Sequence, residues 1–197
     1  MFGITEAVMS EIEIKKSHFI THLIPITDEK DAKEKIEQMR KEYPGATHYC
    51  YAYILFNEKK CSDDGEPAKT AGQPILNVLE KQHLHYVLAL VIRYFGGIKL
   101  GAGGLVRAYS NATIDCIKQA HIKPLLLKQH IQVSFPYDLE QTILKQYPNF
   151  EITHKTYLEQ ITYEGYIDEE DIKSLSLLSK VQVQQFETSY RIQKGWH

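Results

Sequence analysis

The sequence predicts an α+β protein with two domains, each an α/β two-layer arrangement of helices on a sheet. Three observations lead to this class. Strand and helix patterns alternate over the first two thirds of the chain, and a βαββαβ pattern fills the last third. Hydrophobic residues make up 43% of the 197 residues, which is ordinary for a globular protein with buried cores. We therefore place the domains at 1–127 and 128–197.

The elements of the first domain follow from apolar spacing and from helix-ending residues. The predicted order is a strand at 19–24, a helix from Asp28 to Pro44, a strand at 49–56, a helix at 70–79, a strand at 87–92 and a helix after 104. Either Thr70 or Gln73 can cap the second helix, and the sequence does not decide between them. A glycine-rich stretch separates the last strand from the last helix.

The second domain has the βαββαβ order of a ferredoxin-like fold. Strands are predicted at 128–135, 150–157, 158–167 and 181–192, with helices at 136–147 and from 168 onward. Four consecutive acidic residues begin the second of these helices, where the helix dipole favours negative charge.

The glycine-rich stretch is the first candidate site. Five of the eleven glycines lie between 96 and 104, just before a helix, and no Asp or Glu occurs from 81 to 114. Backbone N–H groups at such a helix start suit an anion. The candidate anion-binding or nucleic-acid-binding residues are Arg93, Gly96, Gly97, Lys99, Gly101, Gly103, Gly104 and Arg107. The alternative is a tight turn whose glycines serve packing alone. For Arg93 a second alternative is that strand alternation directs its side chain to a carboxylate such as Asp64.

Two nucleotide-binding motifs fail in this stretch. Gly96 and Gly101 have the spacing of a P-loop, but Ala102 stands where lysine is required. Gly101 and Gly103 begin a dinucleotide fingerprint, but Val106 stands where its last glycine is required. Tyr94 and Phe95 could stack on bases, although core packing is the simpler expectation for aromatic residues at the end of a buried strand.

A second candidate patch combines a histidine with an acidic loop. Its residues are His48, Asp63, Asp64, Glu66, Lys69 and Thr70. Asp and Gly in such a loop are typical of turns and structural hydrogen bonds. Alternatively, three carboxylates in four residues could hold magnesium through water, with His48 as a base. We expect this patch and the glycine-rich stretch to lie on one surface, because both adjoin strands of the same sheet.

Charge and cysteine content restrict the functional classes. The net charge is −2, with 6 Lys/Arg and 10 Asp/Glu in 136–197, so a polyanion would bind the first domain. The three cysteines form no CxxC pair, which favours reduced thiols in a cytoplasmic protein over disulfides or zinc. No apolar run is long enough to span a membrane. The sequence predicts no cofactor, no metal site and no membrane partner.

The region from His48 to Tyr109 resembles the signature of the IMPACT family, in its bacterial branch. The matching segments are HYCYAY from His48, DDGEP from Asp63, TAGQPIL from Thr70 and VIRYFGGIKLGAGGLVRAY from Val91. One departure is Lys69, where bacterial members usually carry glycine. The resemblance implies a first domain similar to the second domain of small-subunit ribosomal protein five and to domain IV of elongation factor G. It implies a second domain similar to domain V of that factor.

The resemblance also implies a role in translation, because eukaryotic relatives regulate translation initiation. We expect a cytoplasmic protein that binds RNA or the ribosome, with a possible protein partner in translation control. The alternatives are a metal-dependent enzyme acting on a phosphate-containing substrate, and a protein-interaction adaptor that binds no RNA. The sequence identifies no catalytic residue, and the proline-dipeptidase label attached to some bacterial members has no matching metal-ligand set here.

Overall fold

A computed structural model describes residues 1–192 and divides the chain after Pro124 into two units, each with its own antiparallel sheet. The α+β class is confirmed. The boundary after Pro124 lies three residues before the expected start of the second domain. Within residues 1–192, no helix is long and apolar enough to cross a membrane.

The first unit is built on a five-stranded sheet in the order β2-β3-β6-β4-β5. Its strands are β2 (Val8–Ile14), β3 (Ser17–Pro25), β4 (His48–Ile54), β5 (Lys59–Ser62) and β6 (Val87–Tyr94). Its helices are α1 (Glu29–Glu42), α2 (Gly72–Lys81) and α3 (Ala102–Gln119). A short strand β1 (Phe2–Ile4) pairs with the first residues of β7 (Ile122–Phe135). Strands β1, β2 and β5 were absent from the sequence-based prediction.

Helices cover both faces of this sheet, because the central strand β6 is apolar on both of its faces. Leu88, Leu90 and Ile92 belong to the core cluster that contains α1 residues. Val87 and Ala89 face the opposite way, into the cluster formed with α2 and α3. The first unit therefore has three layers, where the sequence led us to expect two.

The second unit has the two-layer arrangement and the strand order β8-β9-β7-β10. Its elements after β7 are a short 3-10 turn (Tyr137–Leu139), α4 (Glu140–Gln146), β8 (Glu151–Tyr157), β9 (Ile161–Ile167), α5 (Glu169–Ser176) and β10 (Gln182–Ile192). Side chains from β7, β9 and both helices form one core, which includes Phe135, Ile143, Tyr163, Ile172 and Leu175. This order of elements and strands is that of a ferredoxin-like fold.

Candidate anion-binding site

The glycine loop, residues 96–104, connects β6 to α3 and needs glycine for two different reasons. At Gly96 a side chain would clash with the backbone carbonyl of Lys16, in the turn between β2 and β3. Gly97 and Gly101 have φ angles of +84° and +71°, which favour glycine. These requirements fix the path of the loop, and they are compatible with either a binding loop or a structural turn.

The start of α3 has the features of an anion site. Gly101 is the N-cap residue, no side chain caps the helix, and its first turn contains no acidic residue. Lys99 and Arg107 are both exposed. The Arg107 Nη1 atom lies 4.0 Å from the position a Cβ would take on Gly103, so the guanidinium group extends back along the first turn. The expected solvent-facing positions of Lys99 and Arg107 agree with the structure.

Arg93 is placed differently from the other two cations. It is only 4% exposed, its Nη1 atom forms an ion pair of 2.5 Å with Glu66 Oε1, and its Nη2 atom donates to Ser17 Oγ. Of the two possibilities for Arg93, a free charge next to the glycine loop and a partner for a carboxylate, the structure shows the second, with Glu66 in place of the expected Asp64. The neutralising acid is 27 positions earlier in the sequence, beyond the acid-free stretch from 81 to 114.

Glu66 is the centre of a buried polar network. Its Oε1 atom also accepts a hydrogen bond of 2.7 Å from the Tyr109 hydroxyl, and its Oε2 atom lies 3.8 Å from His48 Nε2. His48 Nδ1 lies 2.8 Å from the carbonyl oxygen of Asp64. A carbonyl only accepts, so Nδ1 carries the proton, and a neutral His48 keeps Nε2 as an acceptor.

Both aspartates of the carboxylate loop, residues 61–67, form structural hydrogen bonds. Asp63 accepts from the backbone N–H groups of Lys69, Ala71 and Gly72, at 2.8–2.9 Å, and so caps the start of α2. Asp64 accepts from the Tyr49 N–H and pairs with Arg40 at 2.7 Å. These bonds occupy carboxylate oxygens that a metal ion would need. Within residues 1–192, no group of three His, Cys, Asp or Glu side chains is arranged to hold a metal.

Thr70 and Lys69 have local roles beside this loop. The Thr70 hydroxyl donates to the carbonyl of Pro67, so neither Thr70 nor Gln73 caps α2, contrary to the two alternatives from the sequence. Lys69 is exposed and has a φ angle of +61°. Glycine adopts such an angle without strain, which gives a physical reason for the glycine that the resemblance implies at this position.

The Cys50 and Cys61 thiols near this network are not activated as nucleophiles. Burial raises the pKa of the Cys50 thiol, and the negative charge of Glu66 adds to this rise. Burial also raises the pKa of Cys61. A thiol with a raised pKa is protonated at neutral pH and is a poor nucleophile.

The two loops meet at one cleft, as the sequence predicted. We call it the loop cleft; its volume is about 410 Å³. Its lining residues are Thr47, His48, Glu66, Pro67, Arg93, Phe95, Lys99, Leu100, Gly101, Ala102 and Leu105. Of the predicted site residues, Asp63, Asp64, Lys69, Thr70, Gly96, Gly97, Gly103, Gly104 and Arg107 are not in this lining.

Phe95 is the main residue that the sequence analysis undervalued. We expected it to pack in the core, but 46% of it is exposed. Its backbone N–H donates to Thr47 Oγ1 at 3.0 Å, which holds the turn after β6. Phe95 lies one residue past the end of β6, where the alternation of a strand no longer predicts burial. Phe95 thus adds an exposed aromatic ring to the lining of the loop cleft.

Comparison with known proteins relates this chain to one family. Residues 15–117 match the model of the Impact N-terminal domain. The IMPACT family member YvyE of Bacillus subtilis is 37% identical over 180 residues, which cover 89% of this chain and 83% of that relative. YigZ of Escherichia coli is 43% identical over 112 residues, covering 54% of this chain and 55% of YigZ.

More distant similarities agree with these. Human protein IMPACT is 36% identical over 95 residues, which cover 44% of this chain and 29% of the human protein. A crystal structure described as that of a hypothetical protein has a TM-score of 0.70 and 28% identity, and the match covers 94% of this chain and 97% of that one. The match to the family model and the similarity to YvyE along most of both chains show that this chain belongs to the IMPACT family.

Proposed function

We propose that this protein binds RNA or the ribosome in the cytoplasm and that it regulates translation. The observation that carries the proposal is the start of α3, where two exposed cations, Lys99 and Arg107, adjoin an uncapped helix end without acidic residues. Phosphate groups bind helix N-termini and lysine or arginine side chains through charge and hydrogen bonding. The role in translation rests on the resemblance to IMPACT proteins.

Other features favour RNA over the two alternatives. The carboxylates that a metal-dependent enzyme would use are engaged in hydrogen bonds or an ion pair, and the thiols have raised pKa values. An adaptor that binds no RNA would need no acid-free helix start beside exposed cations. RNA recognition uses shape, phosphate contacts and stacking, and exposed Phe95 adds a stacking surface near the cations.

The proposal is tested with Lys99→Ala and Arg107→Ala. Binding of a fluorescein-labelled RNA is followed by anisotropy over a range of salt concentrations, and ribosome binding is followed by co-sedimentation. Each variant is expected to bind more weakly and to lower the slope of log affinity against log salt by about 1, because one phosphate contact is lost. Thermal stability should stay nearly unchanged, because both side chains are exposed.

Lys118→Ala is the matched control. Lys118 is also an exposed cation on α3, but it lies in the last turn, at the opposite end of the helix. The Lys118→Ala variant should leave the RNA affinity and the salt slope almost unchanged. If Lys99→Ala and Arg107→Ala both bind like the parent at low salt, where electrostatic effects are largest, the glycine loop is a structural turn. Ribosome binding that is insensitive to all three changes would favour the adaptor.

A further inference from the structure

The lining of the loop cleft, which lies in the first unit, has two chemically different parts. The polar part comes from the glycine loop and the start of α3, with Lys99 exposed, and from Arg93. The apolar part comes from exposed Phe95 and the side chains of Pro67 and Leu105. A ligand that uses both parts must combine an anionic group with a flat apolar surface.

The polar part of the lining is suited to an anion. No side chain caps α3, and a Cβ placed on Gly101 would meet no atom within 4 Å, so the backbone there opens onto free space. Arg93 supplies a second, independent observation. It lines the cleft and is 4% exposed, and its Nε atom has no hydrogen-bond partner within residues 1–192. A buried arginine N–H without an acceptor is costly, so an acceptor that a ligand brings to this N–H would relieve that cost.

The apolar part of the lining is suited to an aromatic ring. The Phe95 ring lies 5.4 Å from the guanidinium carbon of Arg93, and its main chain is held by Thr47, so the ring has a defined position. Nucleobases stack on such rings and gain about 1–3 kcal/mol per base. A base that is paired in a helix is not available for this stacking, because both of its faces are already covered by neighbouring pairs.

We propose that the loop cleft takes one unpaired nucleotide of a single-stranded RNA, with its phosphate at the start of α3 and its base on Phe95. This inference rests on the proposed RNA-binding function and specifies which form of RNA is bound. The volume of about 410 Å³ falls within the range of small-molecule sites, and one nucleotide combines the two chemistries that the polar and apolar parts of the lining require. The chain thereby discriminates single strands from duplexes.

The test compares a single-stranded RNA with its duplex in an anisotropy titration of the full-length protein, at one salt concentration. The single strand is expected to bind at least tenfold more tightly. Phe95→Ala is expected to weaken single-strand binding about tenfold and to leave the weaker duplex binding unchanged. Phe95→Trp keeps a stacking ring and should restore most of the affinity. A 2-aminopurine base in the single strand should lose fluorescence on binding the parent and keep it on binding Phe95→Ala.

Phe56→Ala is the control for loss of an exposed phenylalanine. Phe56 is 48% exposed and follows β4, at the end of the strand away from His48. It should not change RNA binding. The inference is overturned if duplex and single strand bind equally, or if Phe95→Ala binds like the parent. If Lys99→Ala and Arg107→Ala still weaken binding in that case, RNA binding stands and only the unpaired nucleotide is rejected. Absence of RNA binding by the parent rejects both.

Discussion

At Glu66, one buried carboxylate connects the carboxylate loop to a strand and to a helix. It accepts from Arg93 in β6 and from Tyr109 in α3, and 4% of its side chain is exposed. A buried pair of charges adds little net stability, because desolvation opposes the attraction. Removal of one partner is strongly destabilising, because the remaining charge is then buried without a counter-ion. The pair therefore fixes the arrangement of the loop cleft more than it stabilises the fold.

This reasoning predicts a large effect for Arg93→Met. The variant should lose about 3–5 kcal/mol of unfolding free energy, because Glu66 is left without its counter-ion. Urea denaturation followed by circular dichroism measures the change. Lys59→Met is the matched control, since Lys59 pairs with Glu80 at 2.6 Å on an exposed part of the surface, and it should cost at most about 1 kcal/mol.

The double variant Arg93→Met/Glu66→Gln separates the charge effect from the loss of packing. It removes both charges, so it should be more stable than Arg93→Met alone. If Arg93→Met costs no more than Lys59→Met, the buried ion pair does not constrain the site in the way the geometry indicates.

At the scale of elements, α2 depends on a residue outside itself. Asp63, nine positions before Gly72, accepts backbone N–H bonds from Ala71 and Gly72 at the start of the helix and from Lys69 just before it. Asp63→Ala should lower the unfolding free energy by about 2 kcal/mol, because two half-buried donors and one exposed donor lose their acceptor. Chemical denaturation of the purified variant measures this change.

Gln73→Ala provides the comparison for this helix. Gln73 lies in the first turn and bonds only to Asn77 among the described residues, so its replacement should change stability by less than about 0.5 kcal/mol. Equal effects of the two substitutions would mean that the Asp63 cap contributes no more than a surface contact.

The sequence predicted those elements whose pattern is local. The stripe of Leu105, Ala108 and Tyr109 predicted both α3 and the exposed side of Arg107, and the structure agrees with both. Strand β2 was missed because Ser10 stands among its inward positions and interrupts the apolar alternation that Ile12 continues. Strand β5 was missed because its four residues are short of apolar side chains and lie at the sheet edge.

The parts of the site that depend on pairing between strands could not be predicted in the same way. The register of β4 on β6 places His48 opposite Arg93 and so brings Arg93 to the carboxylate loop. That register depends on the whole sheet. The Asp63 cap likewise requires a loop that returns to a helix start, which no local motif specifies. The sequence placed the two loops together and left open that Arg93 pairs with a carboxylate such as Asp64, but it did not identify Glu66 as the partner.

At the scale of the molecule, the change of strand partner along β7 marks the boundary between the units. Ile122–Pro124 pair with β1, whereas the residues from Leu125 onward pair with β10, beginning with Leu125 opposite Ile192. The described pairings of β8 and β9 also stay within the second unit, and its core is formed by its own helices and strands. A boundary after 127 would separate Leu125, Leu126 and Leu127 from the β10 residues with which they pair.

We therefore predict that a fragment of residues 125–197 folds by itself and unfolds in one cooperative transition, which urea denaturation followed by circular dichroism measures. A fragment of residues 128–197 should be less stable, because it lacks Leu125, Leu126 and Leu127, which pair with β10. Both fragments are small, so their stabilities should be at the low end for folded domains. A gradual, non-cooperative transition of fragment 125–197 would show that the second unit depends on the first. Equal stability of the two fragments would instead place the domain boundary after 127, because the three leucines would then contribute nothing to the stability of the second unit.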